Sequence, residues 1–206
     1  VKFLIDKSKE HVIRKLNQHP DLVVGQLLTP LTGYSNWGGV VGIDNGCFCG
    51  YQHRKFSSLL TRESASGLED CLYVTCPDVV GNGRRTLELF RHRERFFGEH
   101  LGFTNKVALV AQDGMEDLDI PWGEISALFL GGNDPWKDSQ SAIDIIKTAN
   151  TLGKHTHIGR VNTGKRYKRF ADIGADTCDG SGVSMYDHML EDIASFISKT
   201  PQPTLF

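Results

Sequence analysis

The sequence predicts an α/β fold, a compact (β/α)8 TIM-type barrel, on three observations. Short aliphatic or β-branched runs alternate with helical or loop stretches along the whole chain. Eight such runs occur, the number that closes a barrel, and the length sits near the lower limit for that fold. Most of the runs end in a polar residue or glycine.

The runs fall at 2–5, 22–28, 40–44, 72–78, 107–112, 127–132, 155–161 and 176–179. Each has the length of a buried strand. Several are apolar on both parities, as parallel strands covered on both faces are. Between them, Leu87, Phe90 and Phe97 recur at spacings of three and seven, predicting a helix over 84–97. Ile145, Ala149 and Leu152 predict another over 141–152, with Gly153 at its C-cap. Met189, Ile193, Phe196 and Ile197 form the stripe of a final amphipathic helix that stops before Pro201. An open doubly wound sheet is the rival architecture. It calls for a Gly-rich phosphate loop after the first strand, and neither G-x-G-x-x-G nor a Walker A motif stands there; Gly81-Asn82-Gly83 lacks the third glycine.

Composition narrows the class. The 206 residues suit a single domain over 1–206, and no repeat, low-complexity tract or linker divides them. With 39% hydrophobic residues and a net charge of -2, the chain is too apolar and too neutral for disorder. No apolar run approaches the roughly 18–20 residues of a membrane span, and the opening Val-Lys-Phe-Leu-Ile-Asp does not read as a signal peptide. Five cysteines, an odd count, read as reduced thiols, so a soluble protein of the cytoplasm is expected, with no membrane partner. The near-neutral total hides two basic stretches. One holds Arg84, Arg85, Arg91, Arg93 and Arg95; the other holds Lys154, Arg160, Lys165, Arg166, Lys168 and Arg169. The near-neutral total argues against a wholly basic nucleic-acid binder, while a basic surface on a neutral body, or two solvated helix faces, remain open.

In a parallel barrel the active site forms at the carboxyl ends of the strands. Reading those ends gives Asp44, Asp78, Gln112, Gly131-Gly132, Arg160 and Asp179. Each has a plainer explanation. Asp44-Asn45-Gly46 and Gln112-Asp113-Gly114 are turn sequences, and Asp78 or Asp179 could cap the next helix. Six together favour a shared site, because caps have no need to fall at so many strand ends. Two carboxylates can divide the work of nucleophile and acid/base at an acetal-like carbon, as in glycosyl transfer. A third carboxylate and an amide suit the edge of a purine, and paired glycines let backbone approach a ligand closely. Cys47, Cys49 and His53 place three metal-capable groups within seven residues, but packing is the better explanation; the same holds for His155 and His157 on one strand face. Cys71, Cys76 and Cys178 read as core.

These segments, taken in order, resemble the guanine transglycosylase superfamily, whose members insert 7-deazaguanines into tRNA or, in a phage-type branch, into DNA. Ile43-Asp44-Asn45-Gly46-Cys47-Phe48 resembles the family's Asp-Ser-Gly-Gly-Phe, which carries its acid/base aspartate. Cys76-Pro77-Asp78 resembles the strand end that reads the guanine edge, and 108–114 resembles the Val-Gln-Gly segment, with Gln112 on the base. Leu128-Phe129-Leu130-Gly131-Gly132 resembles the Ile-Gly-Gly loop, and 173–179 the Gly-x-Asp-x-x-Asp stretch that ends on the nucleophile. The likeness runs over roughly 40–182. Asn45, Cys47 and Cys49 depart from the first motif. Gly180-Ser181-Gly182 comes after Asp179 where the tRNA enzymes have Cys-x-x-Pro-Thr-Arg, and no cysteine lies beyond Cys178 to build their zinc subdomain.

The resemblance therefore implies a zinc-free enzyme of the DNA-modifying branch that exchanges guanine for a free 7-deazaguanine base. Asp179 would be the nucleophile, Asp44 the acid/base, and Asp78, Gln112, Gly131 and Gly132 the base-binding set. Arg160, Lys165, Arg166, Lys168 and Arg169 are candidates for phosphate contacts. No redox or metal cofactor is called for. The same exchange on tRNA, a barrel enzyme of a phosphorylated metabolite using Gly159-Arg160 and Gly180-Ser181-Gly182, and a non-catalytic nucleic-acid-binding subunit are the alternatives.

Overall fold

The structure, a computed structural model, describes residues 1–67, 69–97 and 101–199. Eight parallel strands close into a barrel in sequence order, and the last pairs with the first. They are β1 (Lys2–Ile5), β2 (Val23–Leu28), β3 (Val41–Ile43), β4 (Cys71–Thr75), β5 (Val107–Ala111), β6 (Ala127–Leu130), β7 (His155–Ile158) and β8 (Thr177–Cys178). The fold class expected from the sequence is the one observed. The strands are shorter than the runs that announced them. The polar residue expected as a strand's last member lies in the loop just beyond it, because the ladder ends where neighbour pairing ends.

Nine helices surround the barrel among the described residues: α1 (Lys9–Gln18), α2 (His53–Ala65), α3 (Gly83–Phe90), α4 (Glu94–Phe97), α5 (Asp134–Lys137), α6 (Gln140–Thr151), α7 (Gly164–Asp172), α8 (Ser181–Met185) and α9 (Asp187–Lys199). No α-helix joins β2 to β3 or β5 to β6; a loop and two short 3-10 turns serve there. Omitting two crossover helices is how so short a chain completes the fold. The single helix expected over 84–97 is two. The bonds His92 N–H to Leu89 and Arg93 N–H to Phe90 tighten the backbone to an i+3 pattern after α3, and α4 then resumes. Phe90 and Phe97 still both reach the core, so the apolar spacing reported burial correctly and continuity wrongly.

Helix α6 matches its capping signals and buries Ile145 and Ala149, while Leu152, the third member of its predicted stripe, is exposed at its C-cap. Ser139 accepts the Ala142 N–H at its start. At its end Gly153 adopts φ 65°, and the Lys154 N–H reaches back to the Ala149 carbonyl. Helix α9 forms where the stripe predicts it, with Ile193 buried and Met189 and Ile197 partly so, but Phe196 is exposed and Leu190, outside the predicted stripe, is buried in its place. Pro201, the expected stop, lies outside the described residues.

The core has two parts. The larger fills the space between strands and helices. The smaller fills the barrel interior with Leu4, Leu27, Tyr73, Ala108, Val110, Ala127 and Phe129. Gly42 belongs to this inner layer for a steric reason: a Cβ there would stand 2.7 Å from the Tyr73 ring. The ring occupies the place a side chain on β3 would take.

Candidate active site

Strand alternation aims the polar residues. Two residues beyond an inward-facing Leu4 comes Asp6. By the same step Gly42 leads to Asp44, Val110 to Gln112, Phe129 to Gly131 and Thr177 to Asp179. All five line one cavity of about 410 Å³ at the carboxyl end of the barrel, together with Asp78, Gly132 and Arg160. The volume falls in the range of small-molecule sites. Apolar walls come from Leu27, Phe48, Val80, Val110 and Phe129. The six strand ends singled out in the sequence thus do converge on one rim.

Asp44 and Asp179 reach this cavity from β3 and β8. Burial, reinforced by the charges of Asp78 and Asp179, pushes the Asp44 carboxyl up to about 7. Its Oδ1 accepts from Thr75 Oγ1 at 3.3 Å, and that hydroxyl in turn accepts the Asn45 N–H at 2.8 Å. Asp44 can therefore carry a proton near neutrality and give it up in the same range. Asp179 is held differently. Its Oδ1 lies 3.1 Å from His157 Nε2 and accepts the Arg160 N–H at 3.3 Å. Among the described residues Oδ2 has no hydrogen-bond partner, so one oxygen of the carboxylate is tied and the other is open to the cavity.

Asp78 and Gln112 line the cavity beyond the ends of β4 and β5. Gln112 Nε2 donates to Asp78 Oδ2 at 2.6 Å, and Asn45 Nδ2 donates to Asp78 Oδ1 at 2.9 Å. Burial raises the Asp78 carboxyl, while these amides and Cys47 oppose the rise. Each carboxylate oxygen keeps a second lone pair for a ligand donor. Gln112 Oε1 accepts from both the Gly81 and the Gly132 N–H, at 2.8 and 2.9 Å. Gly131 donates to the Ala111 carbonyl. The two glycine N–H groups are thus bound within the protein, and the pair serves first to make room. A Cβ on Gly131 would stand 2.5 Å from Gln112 Nε2, and one on Gly132, at φ 64°, would run into the Trp136 ring.

Arg160 occupies the mouth. It is the one non-glycine residue with positive φ among the described residues, at 63°. That conformation aims its N–H at Asp179 while its side chain crosses the opening. The guanidinium binds the Gly132 carbonyl and lies 4.7 Å from the centre of the exposed Phe48 ring. The other basic residues expected to meet phosphate lie on α7, and most are engaged. Arg166 pairs with Asp134 and Asp138 at 3.2 and 3.4 Å; Lys168 pairs with Asp172 at 2.7 Å; Arg169 binds the Asp138 carbonyl. Lys165 is exposed and makes no described ion pair.

Three contributors were not anticipated from the sequence. Asp6 lies just past β1, and burial, with the nearby Asp179 charge adding, pushes its carboxyl up to about 6. Its Oδ1 is buried without a hydrogen-bond partner. The signal was available, since Asp6 stands two residues past Leu4 just as Asp44 does past Gly42. His157, which the sequence marked only as a packed partner of His155 on one strand face, and Lys137, which nothing in its local sequence marks, are fully buried polar residues. Cys47 is half-buried, its sulfur accepting the Asp78 N–H at 3.4 Å, and Cys49 lines the cavity. His53 instead meets the Tyr51 hydroxyl at 3.2 Å. Among the described residues no three His, Cys, Asp or Glu groups gather as a metal site. Cys71, Cys76 and Cys178 are buried as expected. No helix among the described residues is long and apolar enough to cross a membrane.

Fold and site define an eight-stranded parallel barrel with a carboxylate-rich cavity at the carboxyl ends of its strands. Protein-family models and curated proteins, compared with the chain, give no match, so a more particular assignment rests on the chemistry of the cavity.

Proposed function

We propose that the chain is a pentosyltransferase that exchanges guanine in a nucleic acid for a free 7-deazaguanine. The observation that carries this reading is the unlike pair in one cavity: Asp44, whose carboxyl titrates near neutrality, and Asp179, with one oxygen tied and the other free. Carboxylates whose environments push them apart divide into acid and nucleophile. Asp179 Oδ2 attacks C1′ of the target nucleotide as the C1′–N9 bond breaks, and Asp44 gives its proton to the departing guanine. The ester joining C1′ to Asp179 is then attacked by N9 of the deazaguanine, whose N9 proton passes to Asp44, and Asp179 leaves as carboxylate. Two inversions return the original configuration. The bound Asp78–Gln112 pair supports purine recognition, its acceptors matching the N–H donors of a guanine edge. The target base must leave its stack, at a cost of a few kcal/mol.

DNA is the proposed polymer, supported by Gly180-Ser181-Gly182 in place of the tRNA enzymes' sequence. The metabolite alternative has less support, because the Gly182 and Val183 N–H groups it would offer a phosphate already donate to Asn162 Oδ1 at 3.0 and 3.3 Å. Radiolabelled guanine exchange, run on DNA and tRNA side by side, tests the proposal. Label should enter DNA with the wild type and not with Asp179→Ala. Label in tRNA alone would replace DNA by tRNA, and label in neither would end the base-exchange reading.

A further inference from the structure

A line of polar groups runs through the barrel interior beneath Asp179. His155 Nε2 lies 2.8 Å from Thr177 Oγ1, the same hydroxyl lies 2.9 Å from His157 Nδ1, and His157 Nε2 lies 3.1 Å from Asp179 Oδ1. His157 has no solvent exposure. Its imidazole is held between the Phe129 and Tyr73 rings, with centroids 4.6 and 5.1 Å away. Glycines make that clamp possible. A Cβ on Gly159 would stand 2.9 Å from the Phe129 ring, and one on Gly42 2.7 Å from the Tyr73 ring.

Proton counting leaves one arrangement for this line when Asp179 is a carboxylate. A carboxylate oxygen only accepts, so His157 Nε2 must carry hydrogen. Burial drives the His157 imidazole toward its neutral form, with the positive charge of Lys137 adding and Asp179 opposing. Neutral and protonated at Nε2, the ring must accept at Nδ1. Thr177 is then the donor to Nδ1, and its oxygen accepts from His155 Nε2. His155 is likewise driven neutral by burial, down to about 4, against the charge of Asp176. The titratable groups facing His157 are Asp179, Tyr73, His155 and Lys137, and each is compatible with this single direction.

We propose that His157 is a positioning residue for Asp179: its Nε2–H ties down Oδ1 so that Oδ2 alone faces the sugar carbon, and the Thr177–His155 pair fixes the tautomer that makes this possible. The inference rests on Asp179 being the nucleophile. The Arg160 N–H, brought to the same oxygen by its positive φ, is the second tether. Both donors fall on one oxygen, which is what an attacking carboxylate needs: orientation without loss of the reacting lone pair.

Two measurements test it. The first is nitrogen-15 NMR of the labelled imidazoles between pH 5.5 and 8. His157 should show the neutral Nε2–H form throughout, and its signals should move in Asp179→Asn and in Thr177→Val. An Nδ1–H form, or protonation near the ordinary histidine value, overturns the proposal. The second is the single-turnover rate of guanine release. His157→Phe should lower it by about 100-fold, and Thr177→Val by about 10-fold, with KM little changed. His157→Gln, which restores an N–H donor, should recover most of the loss; equal loss in the Phe and Gln variants overturns the proposal. Absence of guanine release in the wild type as well would refute the base-exchange reading. The NMR result would still decide whether His157 tethers Asp179, so the two failures are distinguishable.

Discussion

At the scale of single residues, the site works through what each carboxyl already has around it. Asp44 is buried beside two negative charges, and these outweigh the Gly46 backbone and Thr75 hydroxyl donors, so it holds its proton to about pH 7. As the proposed acid of the first step it should give a rate of guanine release that falls about tenfold per pH unit above about pH 7. Asp44→Asn should lower that rate by roughly 10²- to 10⁴-fold and remove this limb, as single-turnover profiles would show. Asp78 is raised by burial as well, but an amide on each oxygen opposes the rise. Part of this was legible in the sequence. Asp44, Asp78, Gln112 and Asp179 come directly after apolar runs, and period-2 alternation is enough to place most of them on the axis. That the Gln112 amide would be spent on Asp78, Gly81 and Gly132 was not legible. Asp78 lies 34 positions away in the chain, and only the closed barrel brings the two together.

At the scale of elements, short strands and tight loops leave little slack. Gly42 on β3 gives its side-chain space to Tyr73 on β4. Gly42→Ala should cost about 1–3 kcal/mol through overpacking, read as a lower urea midpoint with unchanged slope. Helix α7 shows how a basic sequence differs from a basic surface. Four cations fall within five residues, yet Arg166 and Lys168 pair with Asp134, Asp138 and Asp172. Lys165→Ala should therefore flatten the salt dependence of nucleic-acid binding by about one phosphate contact. Lys168→Ala should leave the slope unchanged. Titrations of binding at several salt concentrations would separate them, and equal effects would count against the pairing as a filter. The split between α3 and α4 has a similar lesson: Phe90 and Phe97 keep helical spacing, but the turn between them is set by backbone bonds that apolar periodicity does not register.

At the scale of the whole molecule, the same burial that prepares the site costs stability. Between about pH 4 and 7 the folded protein keeps a proton on Asp44 that the unfolded chain has released. More protons bound in the native state means that stability from this group is full at low pH and is lost as pH rises through 7. His155 acts in the other direction: held neutral down to about 4, it removes stability as pH falls below the ordinary histidine value. Subtracting Asp44→Asn from wild type isolates the first effect. The variant should be more stable than wild type at pH 8, by an amount on the order of 1–4 kcal/mol, and lose that advantage toward pH 4.5 in urea unfolding. A stabilising change that removes activity is the mark of a strained functional site. The sequence by itself determined the eight strands, their order, the alternation that points residues inward, and the carboxylates at the strand ends. These are local properties of short apolar runs and of the one or two residues at their ends. Tertiary structure alone decided which polar groups remain free, which carboxyl keeps its proton, and that a buried histidine holds Asp179. Hydrogen-bond partners, neighbouring charge and loss of solvation come from residues tens of positions apart, and no local pattern carries them.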